Sequence, residues 1–181
     1  WVVEKLLNPA SAMFREGNVL LSEGDGLDAS IYLSVLAAIS QGNTRRGDIA
    51  AAVGRPPTAV AHPLAVLGES GLVTAQADAM RQKRTTFHVA EPVLRLHQLV
   101  IAPNEARLLR HRAVAVWSAV ADTVSSKIYG PHFETVARDW CLEWAAEETV
   151  GGVPGRVAPT TVSCPEHRGN HEIDLGDHHV D

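Results

Sequence analysis

The chain has 181 residues, 45% hydrophobic and 20% charged, the composition of a globular protein of one domain and part of another, or of two small ones. No run of eighteen apolar residues is present, so no helical membrane span is expected. Residues 1–17 lack the basic start and apolar core of a secretion signal. Two cysteines, Cys141 and Cys164, are too few for a disulfide framework, and a cytoplasmic location is the expectation.

The net charge of −5 conceals a polarity. Residues 41–90 carry six cations against three acids, whereas residues 131–181 carry three arginines against ten acids. Two modules with different partners are implied, and only the first suits a polyanion. The chain opens on Trp1 and not Met, which reads as a fragment or a trimmed chain.

In chain order, residues 1–27 are mixed, with breaks at Asn8-Pro9 and Gly24-Asp25-Gly26. Asp28 is placed to cap a helix whose apolar side is Ile31, Val35 and Ile39. A second helix is predicted over about residues 44–53, with Ile49 and Val53 on one face and Gly54 as its stop. The stretch "TAVAHPLAVLGESGLVT" at 58–74 reads as a third helix starting near Pro57 or Thr58, with Val60, Leu64 and Leu67 inward and Gly71 as its left-handed stop. Pro63 would then cost one helical bond and kink the helix, tilting the segment from Pro57 to His62.

Residues 72–74 and 85–89 read as strands joined by the basic loop "AQADAMRQKR". A helix opens at Glu91-Pro92, with Val93, Leu96 and Val100 in register. Asn104 is expected to cap a longer helix to about Lys127, with Leu109, Val116, Val120 and Val124 buried and Gly130-Pro131 as its break. Phe133, Val136, Ala137, Trp140, Cys141 and Trp144 form one stripe, predicted to be a buried helix face. After Gly151-Gly152, "RVAPTTVSC" and "HEIDLG" read as strands joined by "PEHRGN".

Three short helices, a glycine stop and a basic hairpin within about 60 residues are the order of a winged helix-turn-helix, whose third helix can enter a major groove. Arg45, Arg46, Arg55, Arg81, Lys83 and Arg84 are the candidates for phosphate, and Thr58 and His62 those for base edges. Double-stranded DNA is therefore the expected partner. A winged helix used for protein contacts is the alternative. The tilt at Pro63 would spare phosphate binding and weaken base reading.

Two metal sets are open. Glu172 and Asp174 share a strand face, and Glu134 lies at the edge of the apolar stripe. A helix acid with a strand acid can hold a divalent ion. Cys164, His167 and His171, followed by His178 and His179, are a zinc-like set without a Cys-x-x-Cys anchor.

The stretches "YLSVLAAISQGNTRRGDIAAAVGRPPTAVAHPLAVLGESGLV", "KRTTFHVAEPVLRLHQLVIAPN", "YGPHFETVARDW" and "HEIDLG" together resemble the C-terminal part of a prokaryotic, archaeal-type AAA ATPase family. In that family a winged helix is followed by a restriction-endonuclease-like domain of unknown function. The resemblance implies that Glu134 and Asp174 are the metal-site acids of a degenerate PD-(D/E)xK core. No GxxxxGK[ST] occurs in the chain, and no lysine follows Lys127, so the Glu-x-Lys strand is missing. Neither ATP hydrolysis nor DNA cleavage is expected of this chain alone, and no cofactor beyond a divalent metal. The third helix and its strand by themselves resemble small ArsR-type repressors, which makes a metal-responsive regulator the second reading. The expected fold is mainly α with small β: a tail of a preceding domain at 1–27, a winged helix-turn-helix at 28–90, linking helices at 91–130 and an incomplete α/β nuclease-like domain at 131–181.

Overall fold

Among the described residues, apolar side chains at helical spacing close two separate cores. The computed structural model describes residues 1–15, 29–78, 84–153, 157–164, 166 and 169–177. It divides into a unit formed by Trp1–Thr74 with Phe87–Tyr129 and a unit formed by Ala75–Thr86 with Gly130–Asp181.

The first unit holds α1 (Val2–Lys5), α2 (Ala29–Ser40), α3 (Arg46–Val53) and α4 (Ala61–Glu69). Val35, Leu36, Ala38 and Ile39 put the buried side of α2 against Ile49 and Ala50 of α3 and against Val60, Leu64 and Leu67 at α4. Each fully buried Leu, Ile or Val here contributes about 1.5–3 kcal/mol. β1 (Val73–Ala77) and β2 (Thr85–Val89) form a two-stranded sheet, and Val73, Phe87 and Val89 close the core. The Phe87 amide donates to the Thr44 carbonyl at 2.8 Å, tying the root of the hairpin to the entrance of α3. Three helices followed by this hairpin are a winged-helix arrangement, as the sequence predicts.

The expectation for Pro63 is corrected. Residues 57–60 are a turn, and α4 starts only at Ala61, with Val60 as its cap residue. Pro63 is the third residue of the helix. The first amides of any helix have no intrahelical acceptor, so the missing N–H costs no bond. Only Ala61 and His62 of the helix precede Pro63, so no helical segment running from Pro57 is there to be tilted. The helix ends as predicted: Gly71 has φ +74°, the Leu72 amide donates to Leu67 at 3.0 Å and the Gly71 amide to Gly68 at 3.0 Å. These are the two bonds of a Schellman stop, and Leu67 and Leu72 both pack into the core beside it.

A second core in the same unit gathers Leu7, Phe14, Leu96, Val100, Ile101, Leu108, Val116, Val124 and Ile128. Its elements are α5 (Pro92–Leu96), a π turn His97–Ile101, α6 (Ala102–Leu108), α7 (Ala113–Ala119), α8 (Ala121–Val124) and a second π turn Ser125–Tyr129. Asn104 is not a cap: it lies inside α6, where its Nδ2 donates to the Val100 carbonyl at 3.0 Å. The helix runs through because the π turn shifts the bonding register just before Pro103, relieving the clash its ring would make in a regular α-helix. The real break falls at residues 109–112, where His111 has φ +57°. Leu109, expected inside, is consequently exposed.

The second unit contains the outer part of the β1–β2 hairpin, α9 (Gly130–Glu143), α10 (Glu147–Val150), β3 (Val157–Cys164) and β4 (Gly169–Asp177). Gly130-Pro131 does not end in a loop; these residues open α9, where a proline in the first turn is tolerated. β3 and β4 pair antiparallel with Thr160 opposite Ile173 and Val162 opposite His171, and the register slips between Ala158 and Thr160. Pro159, which has no amide to give a ladder, sits at that slip. α9 packs on β3, yet its predicted buried stripe is open to solvent: Phe133 is 71% exposed, Val136 50%, Trp140 49% and Trp144, just past its end, 75%. Helical spacing specifies an apolar face but not what covers it.

Candidate nucleic-acid interface

Two arginines stand at the N-terminus of α3. Arg45 is the cap residue, in extended conformation and without a side-chain cap bond, and Arg46 is the first helical residue; both are exposed. Cations at this end oppose the helix dipole by about 0.3–1 kcal/mol each. Asp48 in the first turn offsets part of that. Gly47, between Arg46 and Asp48, is exposed, and a Cβ built on it would meet nothing within 4 Å, so the backbone here is open to a close ligand.

Gly54, at φ +68°, stops α3, and the turn that follows exposes Arg55 through Thr58. The Ala59 amide donates to Pro56 at 2.9 Å and the Ala61 amide to Thr58 at 3.4 Å, so this turn is held by its own backbone. Thr58 thus projects from a turn and not from the helix it was assigned to. His62 is exposed on the first turn of α4, and the same outer side carries Ala65, Gly68 and Glu69. Such a face offers a groove few donors or acceptors: one imidazole, one methyl able to meet a thymine methyl, and an acid that repels phosphate.

The hairpin is longer than the sequence reading gave. The Asp78 amide donates to the Arg84 carbonyl at 2.9 Å, and the Thr86 hydroxyl to the Gln76 carbonyl at 3.2 Å, so the pairing reaches Asp78 and Arg84. Alternation of polar Thr74, Gln76 and Asp78 hides this pairing in a stretch too short of β-branched residues to stand out. Asp78 is also engaged: it accepts from the buried Thr160 hydroxyl at 2.9 Å. Arg84 is exposed, whereas Arg81 and Lys83 lie outside the described residues.

The spacing-based reading passed over Arg107, Arg110 and Arg112, all exposed in and just after α6, with Arg107 donating to Asn104 at 3.2 Å. Their signal, three arginines in "RLLRHR", lies outside the segment counted as basic.

Of the metal candidates, Glu134 is half-buried on α9, 4.0 Å from Arg138 at i+4. Cys164, His171, Glu172 and Asp174 lie on β3 and β4, where the backbone alone is described. His167, His178 and His179 lie outside the described residues. Among the described residues no three His, Cys, Asp or Glu side chains are grouped to hold a metal, and no helix is long and apolar enough to cross a membrane.

No protein-family description matches the chain, and no curated protein matches it. Among solved structures, the chain is similar to a homodimeric winged helix-turn-helix DNA-binding domain from Mycobacterium bovis, described as a possible ArsR-family transcriptional regulator. The identity is 21%, covering 55% of this chain and 88% of that one, with a TM-score of 0.40. It is also similar to S. aureus MepR, solved with DNA, at 19% identity over 63% of this chain and 90% of that one, TM-score 0.39. The adhesin competence repressor of Streptococcus pyogenes is 20% identical over 62% and 88%, TM-score 0.36. At such scores the winged-helix assignment rests on the chain's own order of helices, glycine stop and hairpin.

Proposed function

We propose that the chain is a DNA-binding module that holds the duplex mainly through its phosphates. The observation that carries this reading is the exposed pair Arg45–Arg46 at the positive end of α3. That placement is electrostatically adverse in the free protein and favourable with a phosphate beside it. Arg55 in the following turn and Arg84 on the hairpin add to the cationic set. The sparse outer side of α4 supports weak sequence preference. Competition on random duplex tests this: Arg45→Gln with Arg46→Gln should weaken binding to every duplex alike. Loss confined to one sequence would contradict phosphate-led binding.

The finer reading is that this module is the C-terminal region of an AAA-type ATPase, with α9 and the β3–β4 hairpin as the remnant of a nuclease-like core. The order of the motifs in the sequence supports it. Glu134 and Asp174 would then be the acids that take a divalent ion, while Cys164, His167 and His171 would serve a metal-responsive regulator instead. Zinc and magnesium content after dialysis separates the two. The open apolar side of α9 supports a protein partner in addition to DNA.

A further inference from the structure

A cavity of about 260 Å³ opens within the first unit, and it plays no part in the DNA reading. Its most deeply buried lining residues are Leu96, Val124 and Ile128, 5%, 3% and 5% exposed. Val93 and Trp117 are half-buried around it, and the exposed Trp1, Met13 and Tyr129 stand at its mouth. No charged side chain is among the described residues that line it. Protein interiors are close-packed, and an apolar void of even about 150 Å³ stays dry and takes up benzene. This one is larger, has aromatic walls and, unlike such a void, is partly open to solvent, so a ligand can reach it.

We propose that this cavity is a binding site for a small uncharged aromatic molecule of one or two rings. The volume sets the size, since drug-sized ligands take about 300–1,000 Å³. The lining sets the charge, because an ion placed here would lose its water and find no partner. Trp117 and Tyr129 favour a ring over an aliphatic chain, as edge or offset contacts add to simple burial. The proposal stands whether or not the chain binds DNA.

The test is titration calorimetry of the whole chain with 1-naphthol, and with naphthalene-1-sulfonate as its charged counterpart. The expected result is a naphthol Kd of about 0.1–1 mM, with the sulfonate at least about tenfold weaker. Val93→Phe, which fills the cavity, should weaken naphthol at least about tenfold. Met13→Trp, at an exposed site that cannot disturb the core, should also weaken it by obstructing the mouth. Trp144→Ala, which does not line the cavity, should leave it unchanged. Absence of naphthol binding, equal binding of the sulfonate, indifference to both Val93→Phe and Met13→Trp, or loss in Trp144→Ala would each overturn the proposal.

Discussion

The amide of Leu64 donates to the carbonyl of Val60 at 3.0 Å, and Pro63 sits immediately before that donor. The proline therefore occupies the last position of α4 at which a missing amide is harmless. Replacing an interior helical proline should recover about 3 kcal/mol. Pro63→Ala should instead change little, losing about 0.4–1 kcal/mol through the freer unfolded chain, together with some packing, because Pro63 is buried. Urea denaturation reads this directly. A gain of several kcal/mol would mean that the proline is strained after all.

Arg95 is the polar fastening of the first unit. It is only 9% exposed, and its guanidinium donates to the Val89 carbonyl at the end of β2 and to the Lys127 carbonyl in the second π turn, both at 3.3 Å. Lys127 in turn donates to the Gln41 carbonyl. Arg95→Leu should cost about 2–3 kcal/mol, with two carbonyls losing a charged donor. Arg95→Lys should not restore it, since a point charge cannot span both acceptors as the fork does. Equal stability of the lysine variant and the parent would remove Arg95 from this role.

His97 is 5% exposed, and its Nδ1 has no hydrogen-bond partner among the described residues. Burial lowers its pKa from 6.5, and the nearby Glu105 charge opposes the shift only in part. A histidine depressed in the folded state takes up its proton first in the unfolded chain. Its contribution is thus complete above about pH 6.5 and is lost as pH falls toward the folded value. Stability should fall as pH drops below about 6.5 in the parent and fall less in His97→Gln. Parallel curves for the two would show that another group sets the pH dependence.

Much of the winged helix was legible because its signals are local. Gly71 needs a left-handed backbone, Leu67 and Leu72 flank it, and Ile49, Leu64 and Val35 fall at helical spacing; each ends up where spacing put it. Pro63 was misread because the helix start was placed on Pro57 or Thr58, and a turn held by backbone bonds alone leaves no capping residue to read. The π turns before Pro103 and Pro131 are register shifts without a residue signature, so Asn104 reads as a helix cap and Gly130-Pro131 as a break. His111 takes a positive φ amid "LLRHRAV", with no glycine or proline to announce it. The stripe from Phe133 to Trp144 shows the limit of periodicity: it identified the apolar face correctly and assigned it the wrong surroundings.

The central claim is that the duplex is held by phosphates at the entrance of α3. Fluorescence anisotropy of a labelled random duplex across a salt series tests it most directly. The expected result for the parent is a log–log slope of about −3 to −5, and for Arg45→Gln with Arg46→Gln a slope shallower by about 0.9 for each arginine. No binding at low salt, or an unchanged slope in the double variant, would contradict it.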